Sequence, residues 1–596
     1  MIFNKKNSIW SLLKVPFLYA PLLSVITMVQ KMAEALLPAV SVLAVSGFIN
    51  TAVDIFSGKL PQHFIYRPLL YIVLVMGFQL LFGVVTGYAV RKMRIRLENR
   101  ISLECIDRQA STAFEYIDHS ESFMLMKKVF GEVASQIHTI YNDALGAVGL
   151  GVRYASIMLI FVSNGLWWIG VLILLASVPM IYVTYKNGTK IYRFYKEKFP
   201  GQMEMYHSTY ILKDRSLTDE RTLYGFSDAV NSKWKKMQMD LYAQKKQVNV
   251  KILFHRYLSR FINLGCAMAV IIIMTFSVIR GSLDVGLYIA LVTNIIVLID
   301  QVISSVMLLA NNLAQEKEFL KDLDTVCNYK YDPDDLCAAD GTPFSVKSIE
   351  FIHVSFTYPG TKRRVLDNVS FRLDEGMHYA FVGRNGAGKS TIIKLLTGLY
   401  HDYEGTILIN QKDLKEYSCA ERKGMFGIIY QDYAKYELTL KESVKIGDIH
   451  SVSQNDDTYM QKLSDVNLFG LLQALPKGGD TFLGKTEEGG QDISGGEWQR
   501  VAIARLLMKK GNFMILDEPA AALDPVAESV LYEQFLAVSR KKTTLLISHR
   551  LGSVKTADCI FVIDGGKIAE SGSHRELIEK SGIYEKMYSE QKEWYQ

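Results

Sequence analysis

The sequence predicts two folds in series: an α-helical transmembrane domain of six spans with long cytosolic helix extensions, then an α/β domain built around a phosphate-binding loop. Three observations carry that reading. Uncharged stretches long enough to cross a bilayer crowd the first 320 residues. Beyond about 345 the texture changes to short β-rich runs alternating with helical patterns. A GxxxxGK[ST] motif joins one of those strands to a helix. Composition agrees, with 596 residues, 49% hydrophobic and 21% charged, and a positive mean hydropathy of +0.11. Such a chain is neither disordered nor collagen-like. A net charge of +6 is too small for this length to argue for nucleic acid. The six cysteines, Cys105, Cys266, Cys327, Cys337, Cys419 and Cys559, have no metal-ligand spacing and read as ordinary thiols.

The spans fall at about 17–50, 66–90, 140–163, 166–186, 259–279 and 284–312. Pro68 to Val90 and Phe261 to Ile279 carry no charge, and Lys31 and Glu34 interrupt the first span. Tyr154 to Tyr185 is uncharged throughout, and Ser163-Asn164-Gly165 turns it from one span into the next. Lys5, Lys6 and Lys14 precede span one; Arg91, Lys92, Arg94, Arg96 and Arg100 follow span two; Lys186, Lys190, Arg193, Lys196 and Lys198 follow span four. The loops on the other side hold few basic residues, so both termini are expected in the cytosol. The first apolar stretch is too long for a cleaved signal peptide.

The two cytosolic connections, about 50 and 70 residues long, repeat apolar residues at helical spacing. They are expected to project as helices that turn near Phe114–Phe123 and Leu212–Leu223. The domains expected are 1–320 in the membrane, 321–345 as linker and 346–596 as the α/β unit. Tyr331-Asp332-Pro333-Asp334-Asp335 and Asp340-Gly341-Thr342-Pro343 mark the linker. Strand runs follow at Ile349–Tyr358, Met377–Val382, Thr406–Ile409, Phe513–Leu516, Thr543–Ile547 and Cys559–Ile563.

Gly383-Arg384-Asn385-Gly386-Ala387-Gly388-Lys389-Ser390 follows the run Tyr379–Val382 and opens a helical segment. Gly383, Gly386 and Gly388 free backbone N–H groups to point at phosphate oxygens, and the helix N-terminus adds a favourable field. Asn385 and Thr391 complete the expected nucleotide contacts. Lys389 would reach the β- and γ-phosphates of ATP, and Ser390 would ligate Mg²⁺. A second strand run ends in Asp517-Glu518-Pro519. Asp517 is placed to hold Mg²⁺, and Glu518 to orient or activate the attacking water.

Between those motifs lies Ile493-Ser494-Gly495-Gly496-Glu497-Trp498-Gln499-Arg500, which resembles the signature of the ATP-binding-cassette (ABC) ATPases. It departs from the common form at Ile493, usually Leu, and Glu497, often Gln. The resemblance implies that Ser494, Gly495 and Gly496 touch nucleotide and that Tyr358 stacks on adenine. It further implies a Q-loop at Gln431, sensing Mg²⁺ and the membrane domain, a D-loop at Ala522-Leu523-Asp524, and a switch histidine at His549. In that family two cassettes meet head to tail, each signature closing on the partner's γ-phosphate. One chain holds one cassette with every catalytic position present, so a homodimer is expected.

Six spans fused to one cassette resemble the half-transporters of the type IV exporter class. The resemblance implies alternating access driven by ATP in a bacterial-type cytoplasmic membrane, with the two apices resting on the cassettes. Gln431-Asp432-Tyr433, Tyr436-Glu437-Leu438-Thr439 and Ala521-Ala522-Leu523-Asp524-Pro525 are also similar to nisin-type lantibiotic exporters, although Ser443 stands where those commonly have Asn. A small or modified peptide cargo is therefore expected, with lipid or hydrophobic drugs, or one half of a heterodimer, as the alternative. About 16 residues precede span one, so the peptidase domain of cargo-processing relatives is not expected. Lys31, Glu34, Arg153 and Asp300 are the ionisable candidates for a substrate cavity; Lys31 and Glu34, three apart, are equally suited to pair with each other.

Overall fold

The computed structural model describes residues 8–172, 204–281, 283–331, 344–448, 456–485, 487–518 and 542–594, together with Tyr182, Phe194 and Phe535. The chain divides into two compact units, one of residues 1–106 and 124–329, the other of 107–123 and 330–596. Each is built differently.

The first unit is helical. Among the described residues its helices include α1 (Ile9–Tyr19), α2 (Pro21–Phe56), α3 (Tyr66–Ala110) and, past α4 (Phe114–Asp118), which falls in the second unit, α5 (Ser120–Ser163), then α6 (Thr218–Tyr224), α7 (Ser227–Ile279) and α8 (Val285–Cys327). At 1.5 Å per residue the 45 residues of α3 run about 68 Å, against roughly 30 Å of bilayer hydrocarbon. The expected projection into the cytosol follows from that excess. Among the described residues three helices, Pro21–Phe56, Gln62–Ala110 and Ser120–Ser163, are long and apolar enough to span, and Ala267–Ile279 is a shorter apolar stretch. Residues 167–172 of the expected span four are helical, and most of the rest of that span lies outside the described residues.

The long extensions hold together through stripes at helical spacing. Ala89, Met93, Leu97, Ile101 and Cys105 line α3 every fourth residue, and Met126, Val129, Val133, Ile137 and Ile140 line α5. Nearer the other ends of the helices, Val42, Phe161, Ile169, Met274 and Leu291 form a buried cluster. There α2 and α8 approach so closely that a Cβ on Gly286 would lie 2.5 Å from the Ser46 carbonyl oxygen. The Gly286 N–H donates to Asn50 Oδ1 at 2.8 Å, a packing only glycine allows. Leu80, Leu81 and Val84 stand exposed on α3, the apolar face a bilayer covers.

One sequence expectation needs correction. The first span does not run unbroken from about 17. A separate helix, α1, ends at Tyr19, Ala20 leaves the helical conformation at φ −143° and ψ 58°, and the spanning helix restarts at Pro21, whose missing N–H and fixed φ suit a first helical turn.

Among its described residues the second unit contains two sheets. The antiparallel one has the order β2-β1-β4-β5, with β1 (Ser348–Thr357), β2 (Arg364–Asp374), β4 (Glu404–Ile409) and β5 (Lys412–Asp413). The other has the order β10-β9-β3-β8-β7-β6, built from β3 (His378–Val382), β6 (Phe426–Ile429), β7 (Phe513–Asp517), β8 (Thr543–Ile547), β9 (Cys559–Asp564) and β10 (Lys567–Gly572). All its pairings are parallel except β10 on β9. The helices are α9 (Lys389–Leu396), α10 (Cys419–Met425), α11 (Leu440–Lys445), α12 (Asp456–Asp465), α13 (Phe469–Ala474), α14 (Gly495–Leu507), α15 (His574–Glu579) and α16 (Ile583–Trp594). Phe351, Phe371, Phe381 and Phe561 fill the space between the sheets, Phe351 and Phe371 stacked at 4.4 Å.

Residues 107–123, the turn between α3 and α5, belong with this second unit. The Ala113 N–H donates to the Lys330 carbonyl at 3.1 Å, and Lys330 Nζ lies 3.3 Å from Glu115 and 2.8 Å from Asp402. The second expected turn, near 212–223, is a 3₁₀ turn Arg215–Leu217 followed by α6, which ends at a left-handed Gly225. Among the described cysteines Cys105, Cys327 and Cys419 are buried and Cys559 is half-buried.

Candidate functional site

Four neighbouring parallel strands, β3, β8, β7 and β6, end side by side, and the segments after them converge. That edge is where α/β sheets hold ligands. The loop 383–388 follows β3, Ser548 and His549 follow β8, Glu518 follows Asp517 of β7, and Gln431 lies two residues beyond β6.

The loop 383–388 is shaped by its glycines. Gly386 and Gly388 have φ of 77° and 108°, which a side chain opposes. A Cβ on Gly388 would also press to 2.6 Å on Leu366, whereas nothing lies within 4 Å of one on Gly386. Gly388 ends the loop as N-cap of α9, whose first turn carries Lys389, Ser390 and Thr391. Lys389 is buried, and its Nζ donates to the carbonyls of Gly383 at 2.8 Å and Arg384 at 3.0 Å. Burial lowers its pKa, an effect opposed by the Glu518 and Asp517 carboxylates.

Asp517 is 4% exposed. Burial raises its pKa to about 6, partly offset by a hydrogen bond to the Ser390 side chain. One of its oxygens, Oδ1, is buried without a hydrogen-bond partner. A buried acceptor left open beside a serine hydroxyl is what a hard divalent cation satisfies, so the donor set fits Mg²⁺.

Glu518 sits at φ 46°, a strained conformation for a residue with a side chain, and its N–H continues the ladder by donating to the Ile547 carbonyl at 3.0 Å. Its carboxylate is held from two sides. His549 Nε2 lies 2.5 Å from Oε1, and Gln431 Nε2 donates to Oε2 at 3.0 Å. Burial, and then the Lys389 charge, lower the histidine pKa. Burial raises the pKa of Glu518.

Tyr358 is half-buried, and its hydroxyl pairs with Thr391 Oγ1 at 3.0 Å. Its ring meets Tyr400 edge-on at 5.5 Å. The sequence did not single out what lies behind that ring. Tyr400 donates to Asp118 Oδ2 at 2.6 Å, and Lys394, one turn beyond Thr391 on α9, pairs with the same oxygen at 3.2 Å. Phe114 of α4 closes the group, edge-on to Tyr400 at 5.7 Å. The resemblance implies that this apex rests on a cassette, but nothing in Phe114-Glu115-Tyr116-Ile117-Asp118 names in sequence the residues it meets there.

Ser494 caps α14. The Glu497 N–H donates to its Oγ at 3.3 Å, while Glu497 accepts from the Ser494 N–H at 2.7 Å. This capping box explains the departure from the usual Gln, because a carboxylate suits a helix N-terminus. Gly495 and Gly496 form the first turn of α14, and the Gly495 carbonyl accepts from Tyr433 at 3.1 Å. Among the described residues the bonds of Ser494 and Gly495 go to Tyr433, Glu497 and Trp498, not to the loop 383–388. Ala522-Leu523-Asp524 lies outside the described residues.

Of the cavity candidates, Lys31 and Glu34 pair at 3.2 Å, and Gln30 donates to the same carboxylate at 2.9 Å. Arg153 is half-buried on α5; Asp300 lies on α8 with its side chain outside the described residues.

Residues 366–521 match the sequence model of the ABC transporter family. The subtilin transport ATP-binding protein SpaT of Bacillus subtilis is 28% identical over 502 residues, 83% of this chain and 80% of that one. The nisin transport ATP-binding protein NisT of Lactococcus lactis subsp. lactis is 26% identical, over 99% and 98% of the two chains. An ATP-dependent lipid A-core flippase of Pseudomonas fluorescens is 26% identical over 88% and 84%. Among solved structures, a bacterial Atm1-family ABC exporter with ATP bound superposes with a TM-score of 0.77 at 21% identity, covering 95% of this chain and 98% of that one.

Proposed function

We propose, from the premise that this chain is an ABC half-transporter of the exporter class, that two copies export a small or post-translationally modified peptide. The chain is a membrane protein with a cytosolic ATPase domain, and ATP drives the export. What carries the mechanistic reading is the convergence of Lys389, Asp517, Glu518, His549 and Gln431 at the ends of adjacent strands.

In this reading Gly383, Asn385, Gly386 and Gly388 offer backbone N–H groups to the phosphates of ATP. Lys389 exchanges its two carbonyl partners for phosphate oxygens, and Thr391 leaves Tyr358 to meet the phosphate chain, freeing the Tyr358 ring to stack on adenine. Ser390, Asp517 and Gln431 hold Mg²⁺, which supplies charge neutralisation at the transferring phosphoryl group. Glu518, released from His549 and Gln431, orients the attacking water, and His549 turns to the γ-phosphate. Ser494, Gly495 and Gly496 serve the site of the other copy, as the resemblance to the family implies; within one chain the bonds of Ser494 and Gly495 go, among the described residues, to Tyr433, Glu497 and Trp498, not to the phosphate loop. A homodimer is therefore the working unit, with 1–320 as membrane domain, 321–345 as linker and 346–596 as cassette.

Peptide cargo is supported by the nisin and subtilin transport proteins, which align with most of this chain. The test is ATP-dependent uptake into inside-out proteoliposomes holding this protein alone, with labelled cationic peptides, a lipid analogue and a dye compared. Uptake of peptide by wild type, lost in Glu518→Gln while ATP binding persists, is the expected outcome. ATPase without peptide movement, but with lipid or dye movement, overturns the cargo. Neither activity, restored by a second cassette chain, overturns the homodimer.

A further inference from the structure

The C-terminal helix α16 reaches the segment that carries the switch histidine. Its apolar face, with Tyr584, Ile583, Met587 and Tyr588, belongs to the cluster containing Leu551 and Val554. Gln591 is seven residues after Tyr584, four after Met587 and three after Tyr588, so helical geometry sets it on that face. Its amide brackets Arg550. Nε2 donates to the His549 carbonyl at 2.5 Å, and the Leu551 N–H donates to Oε1 at 2.8 Å. This is the pair of bonds a neighbouring β-strand would supply. It comes just where β8 has ended, at Ile547.

The helix that delivers Gln591 is itself fixed. The N–H groups of Ile583 and Tyr584 donate to the Glu570 carboxylate at 2.6 and 3.1 Å, and Tyr584, fully buried, pairs with His574 Nδ1 at 2.8 Å. Lys555 lies over the Tyr588 ring at 5.1 Å. A side chain held this way transmits position, because neither end of the link is free to drift.

We propose that Gln591 is a positioning residue for hydrolysis: by fixing the backbone of His549 it sets where the imidazole stands relative to Glu518 and the γ-phosphate. The inference rests on the role given to His549 above. It adds that α16, which contributes no group to the nucleotide site, governs the rate of the step. Loss of the amide leaves the phosphate loop and Tyr358 untouched, so ATP binding is spared while turnover falls.

The experiment uses the full-length protein in liposomes, with steady-state ATPase, single-turnover hydrolysis and nucleotide affinity measured for Gln591→Met, Gln591→Glu, His549→Ala and the double variant Gln591→Met/His549→Ala. Methionine keeps the length of the side chain and removes both bonds; glutamate keeps the acceptor for Leu551 and loses the donor to His549. Expected is a fall in kcat of about tenfold in both single Gln591 variants, with KM and affinity for ATP within about twofold, as for a misplaced catalytic group. In the His549→Ala background the same change is expected to add nothing. Wild-type kcat in both Gln591 variants, or the same fall with and without His549, overturns the proposal. The reading of His549 fails separately, if His549→Ala hydrolyses at the wild-type rate. Should Gln591→Met lose ATP binding through misfolding, Gln591→Glu decides between these outcomes.

Discussion

Removing the charge from Asp517 is expected to stabilise the nucleotide-free protein while abolishing its metal-dependent gain from ATP. Asp517 is 4% exposed, and burial lifts its pKa to about 6 from an ordinary 3.8. A carboxyl whose native pKa is raised binds more protons folded than unfolded between those values, so its contribution to stability declines as pH rises through that window. Two units at 1.36 kcal/mol each set the full decline at about 3 kcal/mol, of which roughly 1.4 falls between pH 5 and 7.5. Asp517→Asn keeps an acceptor for Ser390 and has nothing to titrate. Relative to wild type it gains about 1.4 kcal/mol over that interval, on the order of 3 °C in the melting of a domain of this size. The assay is thermal unfolding of both proteins at pH 5.0 and 7.5, without nucleotide and with Mg-ATP. With Mg-ATP the order is expected to reverse, since the amide lacks the charge with which the carboxylate is proposed to help Ser390 and Gln431 hold the cation. A difference in melting that does not change with pH, or a variant stabilised by Mg-ATP as much as wild type, refutes the reasoning.

Other outcomes follow from the same geometry. Tyr358→Ala removes the ring proposed to stack on adenine, a contact worth about 1–3 kcal/mol, so KM for ATP is expected to rise roughly tenfold or more in steady-state assays, whereas Tyr358→Phe stays within about threefold. If phenylalanine is as poor as alanine, the hydroxyl on Thr391 matters more than the ring. Asp118→Asn weakens the bonds to Tyr400 and Lys394 at an exposed edge, a loss of about 1 kcal/mol. Stimulation of ATPase by cargo then falls severalfold while unstimulated ATPase persists; equal loss of both would place Asp118 in the hydrolytic site instead.

How much of this was legible beforehand depended on whether a feature was local. The loop 383–390, Asp517-Glu518 and the alternation of strands with helices are local patterns, and the strand ends gather them as the motifs require. Four strands escaped the sequence reading, each for its own reason, β5 because it is only the two residues Lys412–Asp413. In β2 the inward residues Leu366, Val369, Phe371 and Leu373 lose their period of two at Asn368, whose φ of 56° bends the strand. β6 is four residues directly after α10, too short to show any period. β10 is a polar edge strand with no buried residue. The cluster of Asp118, Lys394 and Tyr400 joins residues 276 and 282 positions apart, which no window along the chain can see. Glu497 was readable, since Ser-x-x-Glu is a helix-start pattern, but the family comparison presented it as a departure.

The grouping of residues 107–123 with the cassette has a consequence for anyone recombining these transporters. In the gene the two parts meet near residue 329, which is the natural place to join one parent's membrane domain to another parent's ATPase. In space that cut divides a single unit: a donated membrane domain brings its own residue at 118, while the recipient keeps its own at 394 and 400. Chimeras cut at 329 are therefore expected to express and bind ATP yet idle. Transplanting 107–123 together with the cassette restores a matched set without touching a membrane span. What is inherited as one working part is written in two places.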